Sequence, residues 1–274
     1  MAEKLSLPLL GVGTYKLKDP QVVKDILSAA LDSGYSLIDT AAVYKNEHTI
    51  GEVLCNHSYR TVFVTSKLAP KDHGYDNTLQ ACQRSLEALK RPHLDAYLIH
   101  WPGVAGRPRE DSGNVATRRE TWLAMEELYR LGKAKAIGVS NYTTRHIEEL
   151  LGYASIVPHL VQNECHPLLA QKEVRKGWQL CPVIATINVQ WGVVELLCND
   201  DVTDLALKYG VTASVVLLRW AIQQEIGVIP KASTIQHITE NVSAMNFELT
   251  TQDMDLLNSL DKDFHFCWDP THVT

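Results

Sequence analysis

Four polar side chains of this sequence are of types that together can deliver a proton: Asp39, Tyr44, Lys67 and His100. A phenol is a weak acid with a pKa of about 10, and a nearby ammonium favours the phenolate and lowers that value. In our interpretation Lys67 supplies the ammonium, and Asp39 pairs with it because an unpaired buried cation is costly. A neutral His100 can hydrogen-bond a carbonyl oxygen and orient it.

Each of these side chains also has an ordinary structural explanation. Asp39 suits a helix cap and Tyr44 a pocket rim, while a lysine such as Lys67 often extends along apolar surface and His100 can be a hydrogen-bonded core residue. Their positions favour a shared site, because three of them lie at or near the ends of predicted strands and Tyr44 follows Asp39 in the sequence. In parallel α/β folds the active groups lie at the carboxyl ends of the strands.

The elements that must position these residues alternate along the chain, as is typical of βα units around a parallel sheet. The predicted strands are Gly11–Lys16, Leu37–Ala41, Val62–Lys67, Ala96–His100, Ala136–Ser140, Leu160–Glu164, Val183–Ile187 and Gly227–Pro230. Apolar residues three and four positions apart predict helices at Pro20–Asp32, Asp76–Leu89, Arg118–Leu131, Thr144–Leu151 and Thr212–Gln223.

Eight such repeats predict an α/β fold in which residues 1–274 form a single (β/α)8 barrel domain. A doubly wound dinucleotide-binding sheet is disfavoured. Gly11 and Gly13 are not followed by a third glycine that opens a helix, as that fingerprint requires.

The composition argues against several classes of protein, namely nucleic-acid-binding, membrane-spanning and secreted proteins. Of 274 residues, 45% are hydrophobic and 21% charged, and the formal net charge is -6, which does not suit a nucleic-acid-binding surface. No apolar stretch approaches the roughly 20 residues of a membrane span, and the first residues lack the features of a secretory signal. We therefore expect a cytoplasmic monomer that binds a small molecule. Six cysteines without a CxxC pair predict reduced thiols and no metal site.

Six short motifs follow one another in an order that resembles the aldo-keto reductases. They are DTAAVYKNE (39–47), TSK (65–67), LIHWP (98–102), GVSNY (138–142), QNECHP (162–167) and VIPKAS (228–233), and together they extend over nearly the whole chain. The resemblance implies a barrel that reduces a small aldehyde or ketone with hydride from NADPH, with NADH as a second choice. It assigns the proton to Tyr44 and supporting roles to Asp39, Lys67 and His100.

The resemblance also implies which residues bind the cofactor and the substrate. The first-strand loop and the nicotinamide carboxamide are assigned to Gly13, Thr14, Ser140, Asn141 and Gln162. The phosphates and the adenine end are assigned to Lys231, Ser233, His237, Glu240 and Asn241. Tyr15 and Trp101 match the substrate mouth, and packing alone is the alternative for Trp101.

One segment, from Lys176 to Val194, departs from the family pattern. The pattern there includes a tyrosine that stacks on the nicotinamide, and Asn188 stands at about that place. An amide offers no flat aromatic face, so a contact of about 1 kcal/mol is lost. Trp191 is an alternative stacking partner.

A second departure lies near the phosphates. Ala232 and His237 stand where the pattern has a serine and an arginine. Because a neutral imidazole does not replace a guanidinium fork, we expect a weakened preference for NADPH, or weak binding of either nicotinamide cofactor.

Two functions therefore stay open. The first is a carbonyl-reducing enzyme, which the four polar residues favour, because a structural barrel has no need of a lysine and an aspartate beside a tyrosine. The alternative is a catalytically weak or inactive barrel with a binding or structural role, and segment 176–194 favours it. An altered reading of the gene in this segment, leaving a folded but impaired enzyme, is a third explanation.

Overall fold

Strands and helices alternate in the computed structural model, which describes residues 6–55, 61–177, 183–186, 193–267 and 269–274. The strands are β1 (Gly11–Gly13), β2 (Leu37–Asp39), β3 (Phe63–Leu68), β4 (Ala96–Ile99), β5 (Ile137–Ser140), β6 (Leu160–Glu164), β7 (Val183–Thr186) and β8 (Gly227–Val228). The helices are α1 (Pro20–Asp32), α2 (Glu47–Leu54), α3 (Tyr75–Leu89), α4 (Gly113–Arg130), α5 (Thr144–Leu151), α6 (Lys172–Gly177), α7 (Val193–Leu197), α8 (Asp200–Tyr209), α9 (Ala213–Ile222), α10 (Ile235–Val242) and α11 (Thr251–Ser259).

Within the described residues, the strands form one eight-stranded sheet in sequence order, and every pair is parallel. Single bridges link Leu10 to Val228 and Gly13 to Lys231, so the last strand lies beside the first. The parallel α/β arrangement predicted from the alternation is confirmed. In particular, β7 pairs with both β6 and β8 although it lies within the segment that departs from the family pattern.

The two faces of the sheet pack against different apolar side chains. A large cluster that includes Ile38, Val64 and Trp122 fills the space under the helices. A second cluster lies on the other face and consists of Leu37, Ala96, Leu98, Ala136, Leu160 and Ile229. Because side chains alternate along a strand, Asp39 and His100 lie two positions beyond members of this second cluster. Asp39 and His100 therefore lie on the same face of the sheet as the second cluster, next to it at the carboxyl ends of the strands.

Local chemistry explains where several elements begin and end. Helix α1 has its predicted bounds, since Asp19 Oδ1 accepts from the backbone N–H of Gln21 at 2.8 Å and Pro20 opens the first turn. Strand β1 is shorter than predicted and ends at Gly13, and Lys16, which we placed in the strand, has a left-handed φ of 62°. Strand β8 ends at Val228, before Pro230, which has no N–H to donate.

The described part of the chain contains no single helix long and apolar enough to cross a membrane, and one pair bent by 89°, α8 with α9, meets the length and composition criteria only jointly. The described cysteines, Cys55, Cys82, Cys165, Cys198 and Cys267, are free of disulfides. Cys181 lies outside the described residues. No group of three or more metal-ligating side chains occurs among the residues that the structure describes.

Candidate active site

The structure brings the four proton-handling candidates together in one cluster. Lys67 Nζ donates to Asp39 Oδ2 at 2.6 Å and to the carbonyl of Thr40 at 2.9 Å. The same ammonium lies 5.3 Å from the centre of the Tyr44 ring. The Tyr44 and His100 rings are 5.6 Å apart and meet edge to face at 76°. The grouping that we predicted from strand ends therefore exists as a set of direct neighbours.

Neighbouring elements hold each of these residues. Asp39 ends β2, Lys67 lies in β3 and His100 follows β4, while Tyr44 ends a short 3-10 helix, Ala42–Tyr44. The adjacent Asn46 stabilises this loop. Its amide accepts from the Thr40 hydroxyl at 2.9 Å and donates to two carbonyls of the β1–α1 loop at 2.9 and 3.0 Å.

A buried carboxylate that we did not predict as part of the site lies beside this cluster. Glu47, in the first turn of α2, accepts from the Ser66 hydroxyl at 2.6 Å and from the Ser85 hydroxyl at 3.2 Å. Burial raises the pKa of Glu47, although the two hydroxyls and the Lys67 charge oppose the shift. Since Glu47 follows Tyr44 by three residues and Ser66 precedes Lys67, this bond ties the tyrosine loop to the lysine strand.

The electrostatics of Tyr44 differ from our expectation. Burial raises the pKa of Tyr44 well above its usual value, and the Asp39 charge and Tyr15 add to the shift. The predicted lowering by Lys67 is wrong for this structure, because desolvation of a phenolate dominates and the ammonium is already paired with Asp39. Tyr44 therefore keeps its proton over the physiological pH range.

Burial also shifts the pKa values of Lys67 and His100, the two neighbours of Tyr44. It lowers the pKa of Lys67, with the Asp39 charge opposing the shift. Burial lowers the pKa of His100 to about 3, and the Lys67 charge adds to the effect. The His100 imidazole is therefore neutral at physiological pH, as we predicted.

Three of the predicted nicotinamide-binding residues lie at the same end of the sheet. Gln162 Nε2 donates to Asp39 Oδ1 at 2.8 Å, so this side chain is bonded directly to the cluster of four candidate residues. Asn141 has a left-handed φ of 60°, and its Nδ2 donates to the His100 carbonyl at 2.8 Å and lies 3.2 Å from Ser140 Oγ. An asparagine tolerates this backbone conformation better than most residues.

The first-strand loop adjoins the same cluster. The Thr14 hydroxyl donates to the Asp39 carbonyl at 3.0 Å, and the Tyr15 ring lies 5.1 Å from the Tyr44 ring. Gly13 is so close to the neighbouring chain that a Cβ would lie 2.7 Å from the Ile229 carbonyl oxygen. Only glycine fits there without a backbone shift.

The predicted phosphate and adenine residues lie along β8 and α10, farther from the tyrosine. Lys231 is half-buried, and burial lowers its pKa, with the Lys16 charge adding to the shift. Ser233 and His237 are exposed, and Ala232 is buried. Glu240 accepts from Gln236 at 2.6 Å, whereas Asn241 is buried beside the Tyr35 hydroxyl. Asn188 and Trp191 lie outside the described residues.

Sequence reasoning did not identify Lys16 as part of this region. Its charge acts on Lys231 across the ends of β1 and β8. The signal was available in the motif GTYK, but we assigned Lys16 to a strand, whereas it follows the end of β1 and has a left-handed φ.

A cleft of about 420 Å³ opens beside Asn141 toward the C-terminal segment. Glu164 lines it and accepts from the backbone N–H groups of Phe266 at 2.9 Å and Cys267 at 3.0 Å, and from His166 Nε2 at 3.1 Å. Burial alone would raise the pKa of Glu164, but the hydrogen bonds prevail and lower it to about 2. This carboxylate therefore attaches the C-terminal segment to β6.

The Glu164 contact predicts a pH dependence of stability. A carboxylate with a depressed pKa stabilises the folded state above its unfolded pKa and loses that contribution as pH falls toward the folded value. Glu164→Gln is expected to lower the free energy of unfolding at pH 7 by about 2–3 kcal/mol, and by less than half of that at pH 3. Urea unfolding at both pH values measures this, with the exposed Glu173→Gln as a control. An equal loss at both values would contradict a role for the ionised form.

Comparisons with known proteins agree with this architecture. A family model described as "Aldo/keto reductase family" matches residues 9–262. A protein named glyoxal reductase from Bacillus subtilis (strain 168) is 39% identical over 264 residues, which are 94% of this chain and 91% of that protein. The crystal structure of an aldo-keto reductase enzyme from a Medee basin deep-sea metagenome library has a TM-score of 0.88 at 32% identity, over 97% of this chain and 96% of that one. A variant of Gox0644 solved in complex with NADPH has a TM-score of 0.87 at 32% identity, over 96% and 93% of the two chains.

Proposed function

The chain belongs to the aldo/keto reductase family, and on this premise we propose that it reduces aldehydes or ketones to alcohols, with NADPH as the hydride donor. The observation that carries the proposal is the position of the Lys67 ammonium, bonded to Asp39 at 2.6 Å and 5.3 Å from the Tyr44 ring. This arrangement provides a protonated phenol with a cation ready to stabilise its anion.

Tyr44 is the proposed proton donor. Since burial raises its pKa, the phenol is protonated when the substrate arrives. NADPH, when bound, would supply hydride to the carbonyl carbon. Tyr44 would give its phenolic proton to the carbonyl oxygen, so that an alcohol and a Tyr44 phenolate would result. Lys67 stabilises this phenolate, and Asp39 keeps the ammonium in place.

His100 is proposed to orient the carbonyl. A neutral imidazole carries one proton, and the buried Nδ1 of His100 has no hydrogen-bond partner among the described residues. A proton on Nδ1 would therefore go unpaired, so we assign it to Nε2, from which it can be donated to the carbonyl oxygen. Tyr15 and Trp101 are proposed to form the walls of the substrate mouth.

The described residues fit a dinucleotide. Gly13 leaves no room for a side chain beside Ile229, so the backbones of β1 and the segment after β8 lie close together and hold Thr14 near Lys231. Ser140, Asn141 and Gln162 offer hydroxyl and amide groups that suit a carboxamide. A bound phosphate would relieve the repulsion between Lys16 and Lys231. The remaining residues of the proposed cofactor site are Thr14, Ser233, His237, Glu240 and Asn241. NADH is the weaker alternative.

We further infer that residues 1–274 form one domain whose sheet closes as a (β/α)8 barrel. The bridges from Leu10 to Val228 and from Gly13 to Lys231 support closure. We also propose that the protein is a cytoplasmic monomer. The proposed substrates are small aldehydes and dicarbonyls, and the similarity to a glyoxal reductase supports this class.

Binding and turnover test the proposal together. Calorimetric titration with NADPH and NADH is followed by an assay of glyoxal and benzaldehyde reduction, recorded as loss of NADPH absorbance. Saturable NADPH binding with turnover is expected. Binding without turnover would favour the weak or inactive barrel as the function, and no binding of either nucleotide would overturn the proposed cofactor site.

Restoring a guanidinium at position 237 tests the phosphate assignment. His237 is exposed at the start of α10, so His237→Arg is compatible with the fold. The variant is expected to bind NADPH about tenfold more tightly with NADH affinity unchanged, because arginine pairs with a phosphate through two parallel hydrogen bonds. Calorimetry measures both constants, and Gln236→Arg on the same helix is the control. Equal tightening for both nucleotides would exclude a specific contact with the 2′-phosphate.

A further inference from the structure

Two consecutive carbonyl groups after β4 each accept a hydrogen bond from a buried side chain of another element. His73 Nε2 lies 3.1 Å from the carbonyl oxygen of Trp101. Arg118 Nη1 donates to the carbonyl oxygen of Pro102 at 3.0 Å. These residues directly follow His100, so the segment between the catalytic imidazole and the substrate mouth is fixed by two donors. We call His73 and Arg118 the β4-loop clamp.

His73 acts as a neutral and oriented donor. It is buried, and burial lowers its pKa to about 4, with the charges of Arg118 and Arg107 adding to the shift. The imidazole therefore carries a single proton at physiological pH. A carbonyl oxygen can only accept, so this proton is on Nε2 and points at Trp101. Thr121 Oγ1, which donates to the Thr117 carbonyl at 2.7 Å, lies 3.3 Å from the other ring nitrogen.

Arg118 connects the loop to two further segments. Its guanidinium is fully buried and forms a bidentate pair with Glu149 of α5, with distances of 3.1 and 2.6 Å. Nη1 donates to the carbonyl of Pro102 and also to the Thr274 oxygen at 2.6 Å. The planar fork of arginine satisfies these acceptors from one fixed position, which the single point charge of a lysine cannot do.

The β4-loop clamp holds the backbone that carries the Trp101 indole. A Cβ at Gly103 would lie 3.3 Å from Trp101 Nε1 and 3.3 Å from Val273 Cγ1. The indole therefore lies close to the loop backbone and near the buried Val273 side chain. A change in the direction of the Trp101 or Pro102 peptide would move this ring.

We propose that His73 and Arg118 are positioning residues that determine substrate size preference by fixing the Trp101 indole at the substrate mouth. The proposal rests on the carbonyl reduction proposed above. The two side chains act through the loop and are assigned no contact with the substrate. An aryl aldehyde depends on the indole face, whereas glyoxal is too small to use it.

A matched pair of variants at position 73 tests the proposal. Glutamine keeps an N–H donor at about the place of Nε2, whereas leucine removes it. His73→Leu is expected to raise the KM for benzaldehyde about tenfold. Its kcat and its KM for glyoxal should stay within about twofold of the wild-type values. His73→Gln is expected to have the wild-type KM for both aldehydes. Glu149→Gln, which weakens the partner of Arg118, is expected to act in the same direction. Thermal unfolding confirms that each variant is folded.

A double-variant cycle identifies the route of the effect. If the clamp acts through the indole, His73→Leu changes the benzaldehyde KM in wild type but not in a Trp101→Ala background. Equal changes in both backgrounds would overturn the proposal. Fluorine NMR of fluorotryptophan-labelled protein provides a readout without turnover, since the line missing in Trp101→Phe belongs to Trp101. This line is expected to shift in His73→Leu and to keep its position in His73→Gln.

The two measurements separate the failure of this proposal from failure of the proposed function. A wild-type protein that reduces neither aldehyde would overturn the enzymatic function and the size preference with it. Turnover of both aldehydes by the wild type, with an unmoved fluorine line in His73→Leu, would overturn the clamp alone.

Discussion

Replacing Tyr44 by phenylalanine is expected to lower kcat for aldehyde reduction by about a hundred- to ten-thousand-fold. The variant keeps the ring that packs 5.1 Å from Tyr15 and 5.6 Å from His100 and removes only the acidic hydroxyl. Fold and cofactor affinity should therefore be retained. Steady-state kinetics with glyoxal and calorimetry with NADPH measure the two effects.

A second tyrosine provides the matched control. Tyr75 is 40% exposed at the start of α3, and Tyr75→Phe is expected to leave kcat unchanged. If Tyr44→Phe keeps more than about one tenth of the wild-type kcat, Tyr44 is not the proton donor, since general acid catalysis contributes a rate factor of about a hundred or more.

The same assignment predicts the pH dependence of the wild-type enzyme. Burial raises the pKa of Tyr44 and lowers that of His100 to about 3. Since neither group titrates near neutral pH, kcat is expected to be flat there. It should fall as pH rises through the pKa of Lys67, which burial lowers, because the ammonium that stabilises the Tyr44 phenolate is then lost, and fall further through the higher pKa of Tyr44.

The sequence alone predicted the core of this site because strand ends are readable from residue patterns. Asp39, Lys67 and His100 each follow a buried strand residue by two positions, and alternation then brings them to one face. The supporting contacts were not predictable in the same way. His73 and Arg118 bind backbone carbonyls of another segment, and no side-chain pattern encodes which carbonyl lies opposite a given donor.

Helix α4 shows a related limit. We predicted from the spacing of apolar residues that it begins at Arg118. The residues before Arg118 include Gly113 and Asn114, which are poor helix formers. The helix begins at Gly113, and Asn114 is fully buried and donates to the carbonyls of Pro108 and Arg109. Tertiary hydrogen bonds thus compensate for low helix propensity. Arg118 is consequently an interior residue and not a solvent-exposed first turn.

The buried ion pair predicts the largest effect on stability. Lys67 and Asp39 are 1% and 3% exposed, so Lys67→Met leaves a carboxylate buried with its cation removed. Loss of one partner of such a pair costs about 3–5 kcal/mol. Lys67→Met is therefore expected to lower the free energy of unfolding by this amount, and to abolish most of the activity because the Tyr44 phenolate is no longer stabilised. Urea unfolding and glyoxal reduction measure the two losses.

Combining this change with Asp39→Asn separates the two roles of the pair. The double variant removes both charges, and the introduced amide still offers an acceptor to Gln162, whose Nε2 bonds to Asp39 at 2.8 Å in the wild type. Much of the lost stability should therefore return, because the penalty arises from an uncompensated charge and not from the absence of the pair. Activity should not return, since no ammonium faces Tyr44. A double variant that is as unstable as the sum of the two single variants would contradict this coupling, and one that regains activity would show that Lys67 only serves the fold.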